Sequence, residues 1–188
     1  MAEVIPIGSD HAGFQLKERL VEELRALGYE PLDLGTHSPD SADYSDFAHS
    51  VASKVEHHDA DRGVLLCGTG LGMSYAANRH PGVRAAVAWS PEIAQLAREH
   101  NDANILILPA RFVSDEEGRE ILRSWLDTPF EGGRHQTRVA KIELQSSDAL
   151  SGGVAMLSLM GDGDSGGESD DEGDGRGCGT HEPGSGET

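Results

Sequence analysis

Residues 63–79, GVLLCGTGLGMSYAANR, predict a buried strand, a glycine-rich turn and a helix, in that order. The apolar run 64–66 has the composition of a buried strand, and residues 73–78 have helical composition. Glycines in the turn let several backbone N–H groups point at one place, and the start of the helix adds positive potential there. The stretch therefore predicts a small anion-binding turn with a cysteine, Cys67, at its edge.

Apolar runs and helical patterns alternate over the first 144 residues. Strands are predicted at 4–7, 31–35, 64–66, 83–89 and 105–108, and helices at 14–27, 46–57, 73–78, 91–100, 115–126 and 134–144. This alternation predicts an α/β fold: a three-layer α/β/α, Rossmann-like, doubly wound sheet of five parallel strands. Pro6 has no N–H for a strand ladder, which favours an imperfect first strand or one near an edge.

Polar side chains follow three of the predicted strands. Asp10 and His11 follow the first strand, Cys67 and Thr69 follow the third, and Arg111 follows the fifth. Ligands of doubly wound sheets bind outside the carboxyl ends of the strands, where the strand order reverses. These residues are therefore expected to converge on an active site.

The spacing of Gly68, Gly70 and Gly72 does not fit the common nucleotide sites. A dinucleotide-binding turn requires glycine where Met73 stands, and no Gly-Lys-Ser/Thr follows for a Walker loop. A phosphatase-type cysteine loop would require arginine at the position of Met73. The turn suits one oxyanion or enediolate, while Cys67 is either a small buried side chain or a reactive thiol, and its place at the turn favours the thiol.

Two further groups of residues are candidates for binding. Arg134 and Arg138 are four residues apart on one helical face, which suits a clamp on a phosphate dianion or ion pairs with the many carboxylates. His100 and Asn101 end a predicted helix. The helix dipole favours a protonated imidazole there, and the alternative is that this pair only terminates the helix.

Composition narrows the class of protein. The 188 residues carry a net charge of −18, which argues against partners such as nucleic acid or anionic membrane. The acid-rich, lysine-poor composition fits either a salty cytoplasm or an acidic protein with an acidic tail. Two cysteines make no disulfide framework, and neither a signal peptide nor an apolar membrane span is recognisable. A cytoplasmic location is therefore expected.

The last part of the chain differs from the rest. Residues 151–188 are mostly Gly, Asp, Glu and Ser and hold half of the 24 glycines. Such a segment cannot bury enough apolar surface to offset the entropy of ordering. The expected organisation is a domain over 1–150 and a disordered acidic tail over 151–188.

Taken together, these residues resemble the ribose-5-phosphate isomerase B family, close kin of the galactose-6-phosphate isomerase subunits. The matching segments are GSDHAGFQLKE (8–18), the loop around Asp43 and Tyr44, CGTGLGMSYAANR (67–79), GVRAAVAW (82–89), AREHNDANIL (97–106), PARFV (109–113) and RHQTRV (134–139). They cover nearly all of residues 4–144. The resemblance implies a homodimer or tetramer whose active sites are shared between subunits and which needs no metal or other cofactor.

The resemblance also implies a role for each matching residue. Cys67 would move a proton between C2 and C1 of an open-chain sugar through a cis-enediolate, which the amides of residues 68–72 would stabilise. Thr69 would position the sugar, Asp10 and His100 would assist ring opening, Asn101 and Tyr44 would contact the substrate, and His11, Arg111, Arg134 and Arg138 would hold the phosphate.

Two details refine the comparison. One branch of the family has a glutamate at or near the position of Tyr75 instead of the cysteine, so Cys67 implies the cysteine branch. Pro109 and Ala110 stand where glycines are more usual before Arg111. The expected reaction interconverts D-ribose 5-phosphate and D-ribulose 5-phosphate. The alternatives are an isomerase of allose or galactose 6-phosphate, a non-catalytic sugar-phosphate-binding regulator, and a protein that binds NAD or ATP.

Removal of residues 151–188 is expected to leave isomerase turnover largely intact, because every candidate site residue precedes that segment. The measurement is kcat/KM of the full chain against that of residues 1–150. A large loss of turnover on truncation would contradict the prediction.

Overall fold

Residues 2–143 are described by the computed structural model, and they fall within one unit, Met1–Leu144. The expected domain boundary near residue 150 and the expected disorder of residues 151–188 lie outside the described residues.

Five parallel strands form one sheet, as predicted. They are β1 (Val4–Ser9), β2 (Glu30–Asp33), β3 (Gly63–Cys67), β4 (Ala85–Val87) and β5 (Ile105–Pro109), in the order β2-β1-β3-β5-β4. From β1 the chain adds β2 on one side and all later strands on the other. The strand order therefore reverses between β1 and β3, where a doubly wound sheet leaves a crevice for a ligand.

Helices cover both faces of the sheet, which confirms the three-layer prediction. They are α1 (Phe14–Ala26), α2 (Tyr44–Glu56), α3 (Leu71–Ala77), α4 (Pro91–Asn101), α5 (Asp115–Asp127) and α6 (Arg134–Val139). Side chains of α1, α4 and α5 form one apolar core with the sheet, and those of α2 and α3 form the other. Within residues 2–143, no helix is both long enough and apolar enough to cross a bilayer.

The central strand β3 is buried along its whole length because it contributes to both cores. Val64 and Leu66 pack in the core of α1, α4 and α5. Leu65 and Cys67 pack in the core of α2 and α3. Two covered faces explain why β3 has a continuous apolar run and not an alternating pattern.

Strand β1 lies between β2 and β3, one strand in from the edge of the sheet, which agrees with the prediction of an imperfect strand or one near an edge. Pairing with β3 begins at Ile7, opposite Val64. Pro6 precedes that first pair, so its missing N–H falls where the β3 ladder has not yet started. A proline is therefore tolerated in an interior strand.

Two predicted elements are too long. The fourth strand covers only Ala85–Val87, and just before it the Arg84 amide donates to the side-chain oxygen of Asn104 at 2.7 Å instead of to a strand. The last helix ends at Val139, and residues 140–143 form turns in which the Ile142 amide donates to the Val139 carbonyl at 3.0 Å. Residue 144 lies outside the described residues.

Gly13 brings the end of β1 against the end of β3. A Cβ atom at Gly13 would lie 2.7 Å from the Leu66 Cβ and 2.8 Å from the Leu66 carbonyl oxygen. The backbone of Gly13 is right-handed, with φ −93° and ψ −6°, so its requirement for glycine is steric. Close approach at this position sets the distance between the loops that follow β1 and β3.

Gly13→Ala is expected to lower the free energy of unfolding by about 1–3 kcal/mol, the usual cost of overpacking a tight contact. Urea denaturation measures it. The comparison variant is Gly28→Ala, where φ is +87° and no atom lies within 4 Å of the added Cβ. That change costs about 1 kcal/mol through backbone strain alone. Full stability of Gly13→Ala would show that the two loops separate without penalty.

Candidate active site

A cleft of about 180 Å³ opens at the carboxyl edge of the sheet, at the reversal of strand order. It brings together residues that follow β1, β3 and β5 with one residue from the start of α2. The lining residues are Asp10, His11, Ala12, Tyr44, Cys67, Gly68, Thr69, Gly72 and Arg111. The convergence that the sequence predicted for these three loops is therefore present in the structure.

The Cys67 thiol lies at the cleft, at the end of β3. The Gly70 amide donates a hydrogen bond to its Sγ at 3.1 Å. Gly70 has φ +77°, and a Cβ there would lie 2.9 Å from Val87, so the turn requires glycine for both backbone and packing. An N–H directed at sulfur stabilises negative charge on it, as does a helix N-terminus. The Gly70 amide thus donates to the sulfur, and the Leu71 amide donates to Thr69 Oγ1 at 3.3 Å.

Asp10 is almost fully buried, and its carboxylate fixes the loop after β1. Its Oδ1 accepts hydrogen bonds from the amides of Ala12 (2.9 Å) and Gly13 (3.1 Å). Its own amide donates to the Leu66 carbonyl at 3.2 Å. The carboxylate is consequently held rigidly beside the end of β3.

His11 presents a defined tautomer when its ring is neutral. Its Nδ1 accepts a hydrogen bond from the Ala42 amide at 3.3 Å. Because Nδ1 is the acceptor, the proton of the neutral ring is on Nε2. His11 lines the cleft, and in this tautomer its ring N–H is on Nε2.

Two glycines of the turn make room for neighbouring side chains. A Cβ at Gly72 would lie 2.6 Å from the Tyr44 ring, and a Cβ at Gly68 would lie 3.2 Å from the Arg111 Nε. Gly68 and Gly72 therefore let the ring and the guanidinium approach the backbone of the turn. Sequence reasoning assigned these glycines to anion binding and did not anticipate this packing role.

Arg111 is tied to the cysteine turn by its backbone. The Ala110 amide donates to the Cys67 carbonyl at 2.9 Å, and the Arg111 amide donates to the Gly68 carbonyl at 3.1 Å. Pro109 pairs with Cys67 in the sheet. With proline and alanine in place of glycines, the loop still places the Arg111 side chain at the cleft.

The remaining predicted residues lie outside this cleft. His100 is at the end of α4, and its ring stacks on that of His135 with centroids 4.3 Å apart and planes within 4°. Arg134 and Arg138 project from α6 and are exposed. Asn101 lines a different pocket. Within one chain, the predicted site is thus divided between the thiol cleft and the α4–α6 region.

His135 has a buried ring and was given no role of its own by sequence reasoning. In the sequence, the signal for His135 was its position directly after Arg134. In the structure, Arg134 Nε donates a hydrogen bond to His135 Nε2 at 3.2 Å. Burial, followed by the electrostatic effects of the neighbouring His100, Arg134 and Arg138, holds the pKa of His135 below its ordinary value, against the opposing effect of Glu131. The ring is therefore a neutral acceptor near pH 7.

An apolar surface that was not predicted from the sequence borders the cleft. It consists of Leu71, Val87, Trp89, Pro109 and Phe112, together with Thr69, which also lines the cleft. The Trp89 side chain is 60% exposed and that of Phe112 is 69% exposed. Large exposed apolar patches of this kind mark binding surfaces. The signal in the sequence was an aromatic residue shortly after each of the strands β4 and β5.

Known proteins with similar sequences cover the same region. The Ribose/Galactose Isomerase family matches residues 5–142. Ribose-5-phosphate isomerase B of Escherichia coli is 46% identical over 138 residues, which is 73% of this chain and 93% of that protein. The probable ribose-5-phosphate isomerase B of Mycoplasma genitalium is 47% identical over 72% of this chain and 91% of that protein.

Solved structures show the same fold. The crystal structure of a ribose 5-phosphate isomerase from Thermotoga maritima has a TM-score of 0.73 and 50% identity, over 76% of this chain and 98% of that one. The ribose-5-phosphate isomerase B of Mycoplasma genitalium, solved with bound ribulose-5-phosphate, has a TM-score of 0.73 and 46% identity, over 76% of this chain and 95% of that one. From the cleft, the fold and these likenesses, we conclude that the chain belongs to the Ribose/Galactose Isomerase family.

Proposed function

We propose that this protein is an aldose–ketose isomerase that interconverts D-ribose 5-phosphate and D-ribulose 5-phosphate. One observation carries the proposal. The Cys67 sulfur accepts a hydrogen bond from the Gly70 amide, in a cleft that Asp10, His11 and Arg111 also line. The names of the similar enzymes support the substrate, since they are ribose-5-phosphate isomerases.

The reaction needs a base, an oxyanion site and a distant anchor for the phosphate. The Cys67 thiolate removes the proton from C2 of the open-chain aldose, and the negative charge develops on O1. A proton passes from the C2 hydroxyl to O1 through the enediolate, and the thiol returns its proton to C1. The product is the ketose, with no net oxidation and no external reagent. Backbone amides of residues 68–72 that face the sugar stabilise the enediolate.

Ring opening and phosphate binding call for further groups. The buried Asp10 carboxylate, at the edge of the cleft, suits proton transfer with the ring oxygen or the anomeric hydroxyl. Tyr44 and Thr69 contact the sugar. His11 and Arg111 offer a directed N–H and a guanidinium for the phosphate, which prefers such charge-assisted donors.

His100, Asn101, Arg134 and Arg138 complete the site from a second copy of the chain. These residues lie outside the cleft of their own chain. The apolar surface of Leu71, Val87, Trp89, Pro109 and Phe112 borders the cleft, where a second copy would cover it. A twofold axis makes such an arrangement reciprocal, so two identical sites form per dimer. A dimer is the smallest assembly that fulfils this proposal, and a tetramer would contain two such dimers.

Two other functions are distinguished from this one by the sugar phosphate that is turned over, or by the absence of turnover. The family name includes a galactose isomerase, so a six-carbon sugar phosphate is the nearest alternative. A regulator that binds sugar phosphates would need the phosphate anchors but not the Cys67 thiol. The cytoplasmic location, the absence of cofactors and the absence of nucleic-acid partners stay predictions from the sequence.

Cys67→Ala is expected to reduce kcat for ribose 5-phosphate by about 10²- to 10⁴-fold, the usual contribution of a general base. Substrate binding should persist, because the thiol is not among the phosphate anchors. Turnover, exchange of the C2 hydrogen with deuterated water and calorimetric binding would be measured together. The matched control is Cys178→Ser, which removes the other cysteine and should retain full activity.

The outcomes of that experiment separate the functions. Wild-type exchange at C2 in Cys67→Ala would eliminate the thiol as the base. Higher kcat/KM for allose 6-phosphate than for ribose 5-phosphate would keep the mechanism and change the substrate. Tight binding of sugar phosphates without turnover by the wild type would favour the regulator, and affinity for NAD or ATP would favour a nucleotide-binding protein.

A mixture of two inactive variants is expected to regain activity if the site is shared. In a heterodimer of Cys67→Ala with Arg138→Ala, one site carries both substitutions and the other carries neither. Random assortment of co-expressed chains should therefore give about one quarter of wild-type turnover. The control is the double variant Cys67→Ala/Arg138→Ala co-expressed with itself. No recovery in proven heterodimers would mean that one chain supplies both residues.

A further inference from the structure

The α4–α6 region contains a group of potential metal ligands that the proposed reaction does not use as such. A ring nitrogen of His100, a ring nitrogen of His135 and a carboxylate oxygen of Glu131 all lie within 4.8 Å of one another. Two imidazoles and one carboxylate are a donor set that Zn²⁺ accepts, with one position left for water or another ligand.

The backbone holds these ligands together. The Glu131 amide donates to the Glu99 carbonyl at 3.1 Å, which fixes the residue beside the end of α4. The His135 amide donates to the Gly132 carbonyl at 3.0 Å. Gly132 and Gly133 have φ of +67° and +54°, so the chain turns sharply between Glu131 and His135. This turn brings both side chains to the same side, against His100.

One of the separations between ligand atoms is close to that around a bound ion. Ligand atoms about 2.1 Å from a tetrahedral Zn²⁺ are roughly 3.4 Å from one another. Glu131 Oε2 and His135 Nε2 are already 3.5 Å apart. The parallel rings of His100 and His135 cannot both direct lone pairs at one ion, so His100 must rotate out of the stack. Its ring is only half-buried, which permits this rotation.

The hydrogen bonding of His135 favours binding. Its Nε2 accepts a hydrogen bond from Arg134 Nε at 3.2 Å, so this nitrogen presents a lone pair. Arg134 is exposed and can move away from an arriving cation. A metal ligand must present a lone pair, so the acceptor nitrogen of His135 becomes available once the Arg134 side chain moves.

We propose that His100, Glu131 and His135 bind a divalent cation of the Zn²⁺ class and that this cation inhibits the isomerase. The inhibitory part rests on the proposed function, because it takes His100 from ring opening and displaces Arg134 from the phosphate. Imidazole ligands select zinc, copper or nickel over magnesium and calcium. Because the cation occupies His100 and displaces Arg134, it competes with the sugar phosphate. Magnesium is expected to have no such effect, because it binds imidazole poorly.

Binding is tested without reference to catalysis. Zn²⁺ is titrated calorimetrically into the full chain carrying Cys67→Ala and Cys178→Ser, which removes both thiols as ligands. In this background, Glu131→Gln is expected to lower the Zn²⁺ affinity at least about tenfold, because even the loss of a residue that only supports a metal ligand weakens binding by about that factor. Glu131 is exposed, so the substitution leaves the fold intact.

The matched control is Glu56→Gln in the same background. Glu56 belongs to the other cluster of two histidines and a glutamate, in which Glu56 Oε2 is 2.6 Å from His80 Nδ1 and His80 Nε2 is 2.9 Å from His49 Nδ1. Glu56→Gln should leave the Zn²⁺ affinity unchanged. Equal affinity of Glu131→Gln and its parent, or the absence of Zn²⁺ binding to the parent, would overturn the proposal.

Inhibition is then measured on chains that retain Cys67. Zn²⁺ should raise the apparent KM for ribose 5-phosphate, and Mg²⁺ at the same concentration should not. Glu131→Gln should keep basal turnover and need at least about tenfold more Zn²⁺ for the same inhibition. Equal sensitivity of Glu131→Gln and wild type would assign the inhibition to another group, such as the Cys67 thiol. Should the wild type lack isomerase activity, calorimetry alone still decides whether the cation binds.

Discussion

The parallel pairing of β1 with β3 is the constraint on which the site depends. Their register, with Ser9 opposite Leu66, places the residues that follow the two strands side by side. Gly13 then packs against the Leu66 backbone, at a distance that leaves no room for a Cβ. Asp10 and Cys67 are consequently held at one edge of the sheet by backbone contacts.

The cysteine turn combines three requirements in a few residues. Gly70 adopts a left-handed backbone and directs its amide at the Cys67 sulfur. Gly68 and Gly72 leave space for the Arg111 guanidinium and the Tyr44 ring. Since each glycine packs against a different neighbouring side chain, a substitution at each position would disturb a different part of the cleft. Hydrogen bonds from the loop after β5 to the carbonyls of Cys67 and Gly68 hold this turn in place.

The division of the candidate residues between two regions has a physical consequence. The thiol cleft contains Cys67, Asp10 and one arginine, Arg111, whereas α6 carries the exposed cations Arg134 and Arg138. In the proposed shared site, assembly and activity are coupled, because the groups that the reaction uses lie in both regions. The same separation leaves His100, Glu131 and His135 together on one chain, where a cation is able to compete with the substrate.

The sequence by itself determined the alternation of strands and helices, the buried β3 and the cluster of polar residues after β1, β3 and β5. These follow from local patterns: apolar periodicity, the serine caps Ser90 and Ser114, and glycines at turns. Only the tertiary structure decided the strand order, the interior position of β1 despite Pro6, and the separation of His100 and Arg134 from the cleft. Each of these depends on contacts between residues distant in the chain, which local patterns do not encode.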